Sequence, residues 1–202
     1  KWNGEKTNKT LLVYAEAGIG DQIINVRFMD TLKKQNINAI WIGGDGSIRN
    51  VIKFSGYNVM DNDQALKVSD EYVYTDSFSL VPLLDLDLPE LWNGTYLKLS
   101  ADHIEKWKSL LPKKFITIRW SGNPLYEHNL HRNLPFDLLM RQIKKVIPSD
   151  VSIVSLQVDD NKHFDEKLLH VDIMDWFDTT AIQSLSLLNI TSCTSTAHSA
   201  GA

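Results

Sequence analysis

Four short apolar runs punctuate the chain: Leu11-Leu12-Val13-Tyr14-Ala15, Ala39-Ile40-Trp41-Ile42, Phe115-Ile116-Thr117-Ile118 and residues 151–156. Each is followed by a polar or glycine-bearing loop and then by a stretch with helical periodicity. This alternation constrains the fold more than any other feature, because strand–loop–helix units in series build parallel sheets covered by helices. The expectation is an α/β chain. Ligands in such sheets sit beyond the carboxyl ends of the strands, where the three most informative loops fall.

Periodicity and breakers supply the detail. After the first strand, Ile24, Phe28 and Leu32 mark one face of a helix; after the second, Ser47 is placed to cap a helix carrying Ile48, Val51 and Ile52. Residues 72–100 read as short extended pieces, including Tyr72-Val73-Tyr74, broken by Pro82 and Pro89. A helix over 101–111 is stopped by Pro112, and a second over 135–147 by Pro148, with Phe136, Leu139, Met140, Ile143, Val146 and Ile147 on its core face. Asp178 or Thr179 is placed to cap a helix running through Ile182, Leu185 and Leu188 to a terminal strand, Asn189-Ile190-Thr191. Two lobes are expected, residues 1–100 and 101–202.

Composition narrows the partners. With 202 residues and 43% hydrophobic content, the chain can build a core. A net charge of −4 gives no electrostatic footprint for a nucleic acid polymer. One cysteine, Cys193, excludes an intrachain disulfide and a thiolate zinc cluster, and fits a reducing, cytoplasmic setting. It reads as a small packed residue. No apolar stretch reaches the ~20 residues that span a bilayer.

Three loops carry the chemistry. In Ala17-Gly18-Ile19-Gly20-Asp21-Gln22-Ile23, Gly18 and Gly20 match the first two glycines of a dinucleotide fingerprint, but Ile23 stands at the third and Asp21 would repel a pyrophosphate. A nicotinamide or flavin cofactor is therefore rejected. The turn allows close approach of a ligand beneath a carboxylate, so Asp21 is either a helix cap or a base toward an acceptor hydroxyl. Glu16 reads equally as a brace for the turn. In the middle loop, Trp120, Ser121, Gly122, Asn123 and Arg132 mix aromatic, hydroxyl, amide and guanidinium groups suited to a base, a sugar and a phosphate. His128 and His131 lack a third ligand at informative spacing, and no metal site is assigned. In the terminal turn, backbone N–H groups and the hydroxyls of Thr194 and Ser195 suit an anion, or one of the two is an ordinary cap; His198 lies one turn into the helix.

Taken together, Trp2-Asn3-Gly4, LLVYAEAGIGD at residues 11–21, WSGNP at 120–124 with Arg132 after it, Val154-Ser155-Leu156-Gln157, and residues 178–202 ending TSTAHSAGA resemble the heptosyltransferase-like glycosyltransferases. The likeness is in particular to the catalytic regions that follow tetratricopeptide repeats in many bacterial proteins. The resemblance implies a GT-B architecture of two Rossmann-like lobes and metal-independent transfer from a nucleotide-diphosphate sugar, with no cofactor. It implies Asp21 as the base toward the acceptor, a glycan or protein. Gly18 and Gly20 lie at that site, and Trp120, Ser121, Gly122, Asn123, Arg132, Gln157, Thr194, Ser195 and His198 belong to the donor side. The family pattern continues for several strands and helices beyond the AHSAGA helix, which implies a second lobe cut short and a chain that is a piece of a larger protein. Two other readings of the same residues stay open: a non-catalytic nucleotide- or glycan-binding module, and an interaction scaffold with a vestigial site.

Overall fold

A computed structural model describes residues 1–65, 71–87, 94–158 and 163–202, so Pro89 lies outside the described residues. The chain divides into two compact units, residues 1–98 with Ala202 and residues 99–201.

In the first unit, β1 (Thr10–Tyr14) leads into α1 (Ile19–Val26) and α2 (Phe28–Lys34), then β2 (Ala39–Ile42), α3 (Gly46–Phe54), β3 (Val59–Met60) and α4 (Asn62–Ala65). After β4 (Tyr72–Asp76) comes a 3-10 turn over Ser77–Ser79 and the short α5 (Leu80–Leu83). All strands are parallel, in the order β3-β2-β1-β4. Leu11 and Val13 on β1 are fully buried, as are Trp41 and Ile42 on β2. Strands covered on both faces explain why these runs are continuously apolar.

Two expectations need correction here. The helix after β1 breaks at Arg27. Its first half buries Ile23 and Val26, while Ile24 is only half-buried. Asn25 Nδ2 donates to the Asp21 carbonyl at 2.9 Å, a back-bond that competes with the helical ladder and bends helices. Asp45, not Ser47, caps α3: its backbone is extended and its carboxylate accepts the Ser47 N–H at 2.9 Å.

The second unit contains α6 (Ala101–Leu110), β5 (Phe115–Arg119), α7 (Asn129–Arg132), α8 (Phe136–Val146), β6 (Ser152–Ser155), β7 (Leu168–Leu169), α9 (Trp176–Leu185), β8 (Asn189–Thr191) and α10 (Ser195–Ala200). Its sheet is again parallel, ordered β7-β6-β5-β8. Side-chain alternation sorts the core into two layers. Ile116, Ile118 and Ile153 pack with Phe136, Met140 and Ile143 of α8. Phe115, Val154 and Leu156 pack on the other side with Trp107, Ala181 and Ile182 of α6 and α9. Each large apolar side chain so buried contributes about 1.5–3 kcal/mol. Val146, expected on a core face, is exposed, and α9 ends at Leu185, so Leu188, expected within that helix, lies beyond it and is exposed.

Asp175, not Asp178 or Thr179, caps α9, accepting the Asp178 N–H at 2.9 Å. Asp178 sits a turn further in and has another task. It is 1% exposed, and its carboxylate accepts from Lys106 Nζ at 2.8 Å, Trp107 Nε1 at 2.7 Å and the Met174 N–H at 3.0 Å. It locks α9 to α6.

Candidate functional site

Each sheet has one place where successive connections leave in opposite directions, which is where α/β sheets bind ligands. In the first unit it lies between β1 and β4, and in the second between β5 and β8.

At the first switch point, β1 exits through Ala15, Glu16 and Ala17. The left-handed residue of the turn is Ala17, at φ 55°, while Gly18 is extended at φ −83° and caps α1. Gly20 lies in the first turn of that helix. Asp21 Oδ2 accepts the Gly18 N–H at 3.0 Å, so the carboxylate closes the turn from the third helical position. That is its only described side-chain hydrogen bond. Glu16 braces the neighbouring strand: its carboxylate accepts the Phe78 N–H at 2.9 Å, just beyond β4. Gln22, which the sequence did not single out, is 5% exposed and accepts the Asp45 N–H at 3.3 Å. It ties the start of α1 to the loop after β2. A Cβ on Gly44 would stand 2.4 Å from Gln22 Oε1, so only glycine fits there at φ +85°.

At the second switch point the side chains converge on Arg132. Its Nε donates to Asn129 Oδ1 at 3.1 Å, and its Nη1 donates to the Cys193 carbonyl at 3.1 Å. The guanidinium carbon lies 4.5 Å from the Tyr126 ring centroid. A Cβ on Gly122 would stand 2.3 Å from Nη2, so the guanidinium rests on bare backbone. The loops after β5 and β8 are thus joined by one cation. Among the described residues, no ion pair includes Arg132.

The other residues expected at this site divide by environment. Gln157 Oε1 accepts the Ser121 N–H at 3.1 Å, fastening the loop after β6 to the loop after β5. Asn123 is exposed and accepts the Leu125 N–H at 2.9 Å, a local turn. Trp120 is only 3% exposed; its ring packs edge-on against Phe136 at 4.8 Å and its buried Nε1 has no hydrogen-bond partner among the described residues. It is a core side chain rather than an open stacking platform. Thr194 is extended and precedes α10, but its hydroxyl makes no cap. It turns inward, 2.9 Å from Thr196 Oγ1 and 3.2 Å from Thr191 Oγ1. Ser195 opens α10 and His198 lies within it, both half-buried. Cys193 is exposed, contrary to the packed position its size implied. It sits on the outer side of a turn whose inner side is filled by threonine hydroxyls.

Two fastenings at this site escaped sequence reading. Gln183, 5% exposed on α9, donates from Nε2 to the Thr196 carbonyl at 2.8 Å and accepts from Ser199 Oγ at 2.7 Å, so it anchors α10. Asn129 carried one usable signal, its spacing three residues before Arg132, which puts both side chains on one helical face.

Among the described residues, His103, Asp175 and Asp178 could gather around a metal ion. The Asp178 oxygens already accept three donors, including the Lys106 ammonium, and a helix clamp accounts for the group. His128, just before α7, and His131, within it, are both exposed and stand 6.1 Å apart, centroid to centroid. No described helix is long and apolar enough to cross a membrane.

Two parallel-sheet units, each with a loop-lined switch point, make this an α/β fold. The chain superposes on Escherichia coli ADP-heptose LPS heptosyltransferase II with a TM-score of 0.54, over 95% of this chain and 81% of that one. At 11% identity the likeness is one of fold. No protein-family model and no curated protein sequence matches the chain.

Proposed function

We propose that the chain is a glycosyltransferase core that moves a sugar from a nucleotide-diphosphate donor to an acceptor hydroxyl without a metal ion. The observation that carries this reading is Arg132, a cation held in place by neutral partners at a sheet switch point, with no carboxylate paired to it among the described residues. The fold likeness to a heptosyltransferase supports it.

In this mechanism the acceptor oxygen attacks the anomeric carbon as the bond from that carbon to the diphosphate oxygen breaks. The acceptor proton passes to Asp21, whose carboxylate has one oxygen held by the Gly18 N–H and the other without a hydrogen bond among the described residues. The electron pair leaves with the diphosphate, and Arg132 with nearby backbone N–H groups stabilises the growing charge. Ser121, Gly122, Asn123, Gln157, Thr194, Ser195 and His198 frame the donor, while Trp120 supports the loop from beneath. Asp21→Asn is expected to leave nucleotide-sugar affinity nearly unchanged while transfer falls about 10²-fold or more. Turnover at the wild-type rate would remove Asp21 from the mechanism.

The Gly18 hydrogen bond favours one other reading, in which Asp21 only closes the turn and the chain binds a nucleotide sugar without reacting it. Saturable binding with neither transfer nor hydrolysis across a panel of nucleotide sugars and acceptors would select that reading.

A further inference from the structure

We infer that Asn129 is a positioning residue whose neutral side chain fixes the Arg132 guanidinium for a diphosphate while leaving its charge uncancelled. The inference rests on the donor-site reading above. Asn129 is 6% exposed, and its Oδ1 takes the Arg132 Nε–H at 3.1 Å. With Nη1 on the Cys193 carbonyl, the Tyr126 ring alongside and Gly122 beneath, the guanidinium plane is held by several independent contacts. Arginine carries five N–H donors, and two of Arg132's are used by described residues, which leaves three of them for an anion. Every contact that orients the group is neutral.

The choice of an amide is the informative point. A carboxylate at residue 129 is nearly the same size and would accept the Nε–H bond more strongly, because charge-assisted hydrogen bonds exceed neutral ones. If Arg132 only tied two loops together, aspartate would serve as well or better. If Arg132 must meet a phosphate, an aspartate would orient it and cancel the charge it is there to supply. Asparagine gives orientation without neutralisation.

The test compares wild type, Asn129→Asp and Asn129→Ala by titration with inorganic pyrophosphate, alongside thermal melts and the rate at which the Arg132 Nε–H exchanges with water. Asn129→Asp is expected to melt within about 2 °C of wild type yet bind pyrophosphate about 10-fold more weakly or worse. Asn129→Ala is expected to lose affinity about 10-fold while its Arg132 Nε–H exchanges faster, because the guanidinium is no longer held. Pyrophosphate affinity unchanged in Asn129→Asp, with wild type binding, overturns this assignment alone. Failure of the wild-type chain to bind pyrophosphate overturns both this assignment and the donor-site reading. Should the alanine variant not fold, the near-isosteric aspartate variant decides.

Discussion

A methyl group on Gly122 would meet the end of a flexible side chain, Arg132, rather than backbone. The guanidinium must then leave its hydrogen bonds to Asn129 and the Cys193 carbonyl, so Gly122→Ala is expected to cost about 1–3 kcal/mol of stability. The same movement removes the preset cation, and pyrophosphate affinity is expected to fall about 10-fold by calorimetry. Gly43 is limited by its own backbone. At φ +74° an alanine is strained by about 1–2 kcal/mol, and its Cβ would also stand 2.4 Å from Asn62 Oδ1. Urea unfolding of Gly43→Ala should show that loss or more. Residue-level reading of the sequence found the glycine turns but misassigned their parts. Left-handed backbone fell on Ala17, and the caps fell on Asp45 and Asp175, because neighbouring Asp and Ser residues satisfy the same capping rule and only backbone dihedrals choose between them.

At the scale of elements, the junction of α6 and α9 depends on Asp178. Burial works against ionisation of its carboxyl, but the Lys106, Met174 and Trp107 donors outweigh it and hold the pKa below the ordinary carboxylate value. A lowered folded-state pKa means stability that is fully present above the unfolded value near 4 and is lost as pH falls through the folded one. Asp178→Ala would leave the Trp107 and Met174 N–H groups unpartnered and is expected to cost about 3 kcal/mol at pH 7. In Asp178→Asn, urea midpoints should decline less between pH 7 and pH 3 than in wild type. Gln183 fastens α10 to α9, and Gln183→Leu is expected to speed amide exchange over residues 195–200 while the sheet amides stay protected. These fastenings were not legible because each joins distant positions, 72 residues apart for Lys106 and Asp178. Periodicity reports which face of a helix is buried and says nothing of its partner. The two-residue strands β3 and β7 were missed for a related reason: two residues carry no period.

For the whole molecule, alternation along the chain was enough to anticipate two parallel sheets with their informative loops at the strand ends. The order of strands within each sheet was not readable, since either direction of winding satisfies the same apolar pattern. Each unit has its own sheet and its own buried layers, so residues 99–201 expressed alone are expected to unfold cooperatively and retain pyrophosphate affinity within about 3-fold. The sole thiol of the chain gives a further consequence. Cys193 is exposed, and its own carbonyl receives the Arg132 guanidinium. A fluorophore attached there needs no background cysteines removed, and its emission would report in real time on whatever displaces arginine from that peptide.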